Sequence, residues 1–166
     1  MEHSDLETRL QAGAFDEMLD RLYGKNRREE ARDRCEAVIA GFTKTFESQP
    51  EALFSAPGRT ELGGNHTDHQ HGRVLAAGVD RDILAAAAPN QSGMVRIQSQ
   101  GYPLIVVDLH ELAPKAGEEN TSAALIRGVA ARMAALGCPL QNAGLDAYMV
   151  SSVPGGSGLS SSAAFE

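Results

Sequence analysis

Residues 147–166 read AYMVSSVPGGSGLSSSAAFE. A β-type run, AYMVSSVP, leads into glycines at 155, 156 and 158, and the serines and alanines of 160–164 then open a helix. Glycines let backbone N–H groups approach a ligand with no Cβ in the way. A helix start adds unpaired donors and a partial positive charge, a combination that suits phosphate. Serine hydroxyls supply further donors or a Mg²⁺ ligand. The stretch is not a Walker A loop, because no Gly-Lys-Ser/Thr follows. It also misses GxGxxG, since Ser161 stands three residues after Gly158. A flexible Gly/Ser connector is the competing reading.

Before this stretch, a helix is expected from about Thr121 to Leu136, with Leu125, Val129 and Met133 on one stripe. Asn120 or Thr121 caps its start, and Gly137 and Pro139 end it. Upstream, MVRIQSQ and PLIVVDL form a hairpin through Gly101, and VLAAGVD and DILAAAA are strand-like runs. ALFSA, bracketed by Pro50 and Pro57, is a short strand. Before it, one helix spans residues 4–22 with Gly24 as its stop, and a second spans about Arg28 to Phe46. The order of helical arm, strands, helix, strand, Gly-rich turn and helix start gives an α/β or α+β domain.

A second unusual stretch, APGRTELGGNHTDHQHG at 56–72, combines an arginine, three histidines and two acids with several glycines. By itself it has two readings. His66, Asp68, His69 and His71 have spacings that can serve a metal, or the segment is a polar cradle for a small hydroxylated molecule.

The chain has 166 residues, enough for one domain with a hydrophobic core. Its hydrophobic fraction is 42% and its charged fraction 22%, as in ordinary globular proteins. A net charge of −7 and a pI near 5.2 disfavour nonspecific nucleic-acid or anionic-membrane partners. Cys35 and Cys138 are far apart and outside any CxxC, so neither a disulfide framework nor a cysteine zinc site is expected. The polar N-terminus and the shortness of ILAAAA at 83–88 point to a cytoplasmic protein that does not enter the membrane.

Together the two stretches resemble the galactokinases, within the wider family of galactokinase, homoserine, mevalonate and phosphomevalonate kinases. The family's sugar signature, similar to Gly-Arg-Val-Asn-Leu-Ile-Gly-Glu-His-Thr-Asp, corresponds to residues 58–68, with Glu61 for Asn, Gly63 for Ile and Asn65 for Glu. Its ATP-loop pattern is matched by Pro154, Gly158, Leu159, Ser161, Ser162 and Ala163. The resemblance spans about Glu36 to Glu166, and Arg127-Gly128-Val129 lies on a helix the family also has.

The resemblance implies transfer of the ATP γ-phosphoryl group to the C1 hydroxyl of galactose. It implies Arg59 as the catalytic cation, and Glu61, Asn65, His66 and Asp68 around the sugar. Pro154, Gly155, Gly156, Ser157, Gly158, Leu159, Ser160, Ser161 and Ser162 would wrap the triphosphate, with Ser162 on Mg²⁺. Glu61, two residues from Arg59 on an extended segment, shares its face and can pair with it.

The implied fold is α+β: a two-layer N-terminal domain of the sugar-kinase family (ribosomal protein S5 domain 2-like). It has a mixed sheet with helices on one face, preceded by a helical arm. The expected division is a helical extension at 1–27 and a truncated kinase domain at 28–166. The family's catalytic aspartate, third glycine motif and C-terminal domain would lie beyond Glu166. The expectation is therefore a fragment inactive by itself, with self-association through an uncovered face. The alternatives are a noncatalytic galactose and ATP sensor on the same fold, or a His/Asp metal-dependent hydrolase.

Overall fold

The computed structural model describes residues 6–64, 71–140 and 143–165. Helices α1 (Leu6–Gln11) and α2 (Asp16–Tyr23) lead through a 3-10 turn at Lys25–Arg27 into α3 (Arg28–Phe46). The single helix expected over 4–22 is thus two. Gly13, at φ +77°, takes a left-handed conformation that an L side chain resists, and the chain turns there before α2 begins.

Strands β1 (Ala52–Gly63), β2 (Leu75–Pro89), β3 (Met94–Ser99), β4 (Ile105–Asp108) and β5 (Leu145–Ser151) form one sheet in the order β1-β2-β5-β3-β4. Helix α4 (Ser122–Ala135) precedes β5, and α5 (Ser161–Phe165) follows it. All strand pairs are antiparallel except β3 with β5, so the sheet is mixed. The hairpin expected around Gly101 is β3–β4, and Gly101 has φ +83°. The two apolar runs after Gly72 are one continuous strand, β2, and β1 runs well past ALFSA to Gly63.

The α+β class and mixed sheet agree with the sequence reading, but the helices cover both faces rather than one. In β2, Leu84, Ala86 and Ala88 pack with Cys35, Val38, Ile39 and Phe42 of α3 and with Leu6, Leu10 and Leu19 of the arm. The intervening Ala87 packs on the other side with Val95, Ile97, Val107 and Ala147, against Ala123 and Ile126 of α4 and Phe165 of α5. Successive strand residues point to opposite faces, so α3 and α4 lie on opposite sides. This is why β2 is buried without a break from Asp82 to Ala88, and why its sequence is an apolar run rather than an alternation.

Small side chains let the layers close. A Cβ on Gly41 of α3 would come within 2.3 Å of the Tyr148 ring. The α4 start is capped as expected: the Thr121 hydroxyl accepts from the Ala124 N–H at 3.2 Å. Arg127 is buried beneath this end, where it donates to the Glu118 carboxylate and to the Glu111 carbonyl. Both cysteines are free thiols, and burial pushes Cys35 up to about 11.

Candidate functional site

The two glycine-rich stretches, about a hundred positions apart in sequence, meet at one corner of the sheet. The register between β1 and β2 shifts there: Pro57 faces Asp82, but Arg59 faces Gly78. Such an irregularity re-aims the backbone locally. The Arg59 N–H is turned to the Leu159 carbonyl, to which it donates at 3.0 Å. Gly58 makes this approach possible, since a Cβ there would lie 2.9 Å from that carbonyl and 3.2 Å from Val79 Cγ2. The α5 helix packs on β1 and β2 at the same corner.

The Arg59 side chain is 56% exposed, and its guanidinium stands 4.0 Å from Glu61 Oε1. Arg59 and Glu61 therefore share a face, as the extended spacing predicts, but at a separation that leaves the guanidinium open to a ligand. Asn65, His66 and Asp68 lie outside the described residues.

The loop following β5 is exposed from Pro154 to Gly158. Gly156 (φ +70°), Gly158 (φ +74°) and Ser160 (φ +58°) give it a left-handed conformation at every second residue. Ser157 braces it from within: its hydroxyl donates to the Pro154 carbonyl at 2.7 Å and accepts from the Leu159 N–H at 3.4 Å. Among the described residues, the N–H groups of Gly155, Gly156 and Gly158 donate to no protein acceptor. A Cβ built on any of those glycines would meet nothing within 4 Å. An exposed row of unpaired amides in alternating turns fits an anionic group such as a phosphate chain. The Ser162 hydroxyl, just inside α5, is exposed and makes no protein hydrogen bond among the described residues.

Behind this corner lies a group the sequence reading passed over. Asp82 is 3% exposed. Its carboxylate accepts from the Tyr23 hydroxyl at 2.5 Å, the Ser55 hydroxyl at 2.7 Å and Arg34 at 2.6 Å. The Arg34 guanidinium also lies over the Tyr23 ring, 5.6 Å from its centroid. Burial pushes the Asp82 carboxyl up, but the bonds from Tyr23, Ser55 and Arg34 outweigh it and hold the group below the usual carboxylate range. Burial first, then the bond to Asp82, raises the Tyr23 phenol to about 12.

The Asp82 main chain is tied as well. Its N–H donates to the Ser152 hydroxyl at 2.9 Å, and its carbonyl accepts from the Ser152 N–H at 2.8 Å. An acid at the mouth of the apolar run DILAAAA was the one signal available in sequence. Its partners, 27 to 70 positions away, were not.

Among the described residues, no group of three or more His, Cys, Asp or Glu is arranged to hold a metal. Of the four residues in the metal reading, only His71 is described.

The sheet with its glycine loop between β5 and a following helix defines a class. A mevalonate kinase structure superposes with a TM-score of 0.54 at 16% identity, over 69% of this chain and 37% of that one, a likeness of fold alone. This is the N-terminal domain architecture of the galactokinase, homoserine, mevalonate and phosphomevalonate kinases.

Within that class the relatives are specific. Residues 40–89 match the model of the galactokinase galactose-binding signature. The galactokinase of Streptomyces coelicolor is 35% identical over 127 residues, which are 75% of this chain and 32% of that protein. The galactokinase of Chloroflexus aurantiacus is 38% identical over 130 residues, 78% of this chain and 32% of that protein. A structure of Lactococcus lactis galactokinase complexed with galactose superposes with a TM-score of 0.70 at 28% identity. That match covers 80% of this chain and 34% of that one. The chain belongs to the galactokinase family and spans about a third of the length of the curated relatives it matches. Among the described residues, no helix is long and apolar enough to cross a membrane.

Proposed function

We propose that this chain carries the sugar- and nucleotide-binding part of a galactokinase, in which the γ-phosphoryl group of ATP passes to the C1 hydroxyl of galactose. The observation that carries this reading is the bond from the Arg59 N–H to the Leu159 carbonyl, which joins the strand of the sugar signature to the glycine loop. Residues 28–166 form the kinase unit, and residues 1–27 are an extension built onto it.

In this reading Asp68 and His66, with Asn65 and Glu61, hold the sugar hydroxyls. The loop from Pro154 to Ser162 holds the triphosphate through its backbone amides. In the transfer, the C1 oxygen forms a bond to the γ-phosphorus and the bond to the β,γ-bridging oxygen breaks. ADP leaves with that electron pair, and the hydroxyl proton goes to a general base, a role we assign to no residue of this chain. Arg59 opposes the charge that builds on the transferring group, a task suited to a fixed guanidinium. Ser162 would hold Mg²⁺ in part, and the ion would neutralise phosphate charge when bound.

Calorimetry on the 166-residue chain, with galactose and separately with a fluorescent methylanthraniloyl ATP plus Mg²⁺, tests the assignment. Both ligands are expected to bind saturably. Asp68→Ala should abolish the galactose signal, and Gly158→Val, strained at φ +74°, the nucleotide signal. Nucleotide binding absent from the wild type, or indifferent to Gly158→Val, would overturn the reading. Stoichiometric zinc lost on His69 or His71 substitution would favour the hydrolase instead.

A further inference from the structure

We propose that Asp82 is a positioning residue that sets the separation between the Arg59 strand and the 154–160 loop. The inference rests on the kinase reading for its functional meaning, though not for its geometry.

The hydrogen bonds around this corner close into a ring. From Asp82, the backbone bonds to Ser152 at 2.8 and 2.9 Å fix the residue with which the chain leaves β5. The next step is braced too, since the Val153 N–H donates to the Ser151 hydroxyl at 3.1 Å. The loop then turns through its glycines to Leu159, whose carbonyl takes the Arg59 N–H at 3.0 Å. Two residues back along β1, Pro57 faces Asp82 in the ladder, and Ser55 returns to its carboxylate at 2.7 Å.

Every link is a hydrogen bond or a covalent backbone step, so a shift at Asp82 reaches both jaws of the site. Arg34 of α3 and Tyr23 of α2 hold the carboxylate from behind. They bring the helical arm into the support of the site. A carboxylate at this depth is tolerated only while these partners remain. The Asp82 node therefore acts as a unit, present or lost as a whole.

The test compares the chain with Asp82→Asn, Ser152→Ala and Ser152→Thr by amide hydrogen exchange. In Asp82→Asn and Ser152→Ala, protection of the Arg59 N–H should fall about tenfold, the size of one lost charge-assisted bond. The amides of Val107 and Ala130, on the far side of the sheet, should keep theirs. Ser152→Thr, which retains the hydroxyl, should restore Arg59. An unchanged Arg59, or an equal loss at Val107 and Ala130, overturns the proposal, because the node would then have no local role. If Asp82→Asn does not fold, Ser152→Ala and Ser152→Thr decide the matter alone. Methylanthraniloyl ATP binding is measured on the same proteins and should weaken about tenfold where Arg59 loosens. A wild type that binds no nucleotide sinks the kinase reading, while the exchange pattern still decides the clamp.

Discussion

On the face of the sheet covered by the arm and α3, Leu10, Val38 and Phe42 are fully buried, and Phe42 and Phe46 pack with ring centroids 4.9 Å apart. On the opposite face α4 stands off. A cavity of about 310 Å³ lies between its Leu125, Val129 and Met133 and the strand residues Val95 and Ile97, and Met133 remains 44% exposed. The polar node at Asp82 sits on the closed face. Hydrogen bonds to a buried charge strengthen as water is excluded and weaken where it enters. The tightly packed side can therefore hold a carboxylate, a guanidinium and a phenol in one arrangement, and the looser side is lined almost entirely by apolar groups.

The contrast predicts unequal costs of truncation. Phe42→Ala should destabilise by about 3–5 kcal/mol, the usual range for a filled aromatic site, as measured by urea denaturation. Leu125→Ala, on the wall of an existing cavity and already partly exposed, should cost about 2 kcal/mol or less. Equal costs would mean that the two faces are equally well packed. Thr121→Ala removes the α4 cap and should cost about 1 kcal/mol. A larger effect would show that α4 depends on its ends more than on its packing.

The smallest effect is a titration. Because the folded Tyr23 phenol is raised to about 12, its contribution to stability is complete below the ordinary tyrosine value of about 10. That contribution disappears as pH rises through the folded value. The ultraviolet phenolate titration of the chain minus that of Tyr23→Phe should therefore show a late-titrating group. A group titrating at the ordinary value would mean that Tyr23 does not reach Asp82.

Much of the architecture is local in origin and was readable. The α3 helix begins and ends at the residues its periodicity suggested, the Thr121 cap is where a hydroxyl precedes an apolar stripe, and the glycine turn follows β5. The division of the arm at Gly13 was missed because a glycine inside a periodic segment can be tolerated or can break it. The placement of helices on both faces was missed because the small residues of 84–88 carry no alternation to show which side is covered.

The candidate site divides in the same way. Backbone freedom and hydroxyl donors, properties of the residues themselves, marked the 154–162 loop, whereas Arg59 and Glu61 were named through the family resemblance of residues 58–68. The α3 and α4 helices, the β3–β4 hairpin, the two glycine-rich stretches and the family they indicate were legible in the residues alone, because each rests on chemistry within a few positions. The folded chain alone shows that Gly58 admits the Leu159 carbonyl and that Asp82 gathers Tyr23, Arg34, Ser55 and Ser152. Those contacts follow from strand register and layer packing, which bring together groups that no local pattern relates.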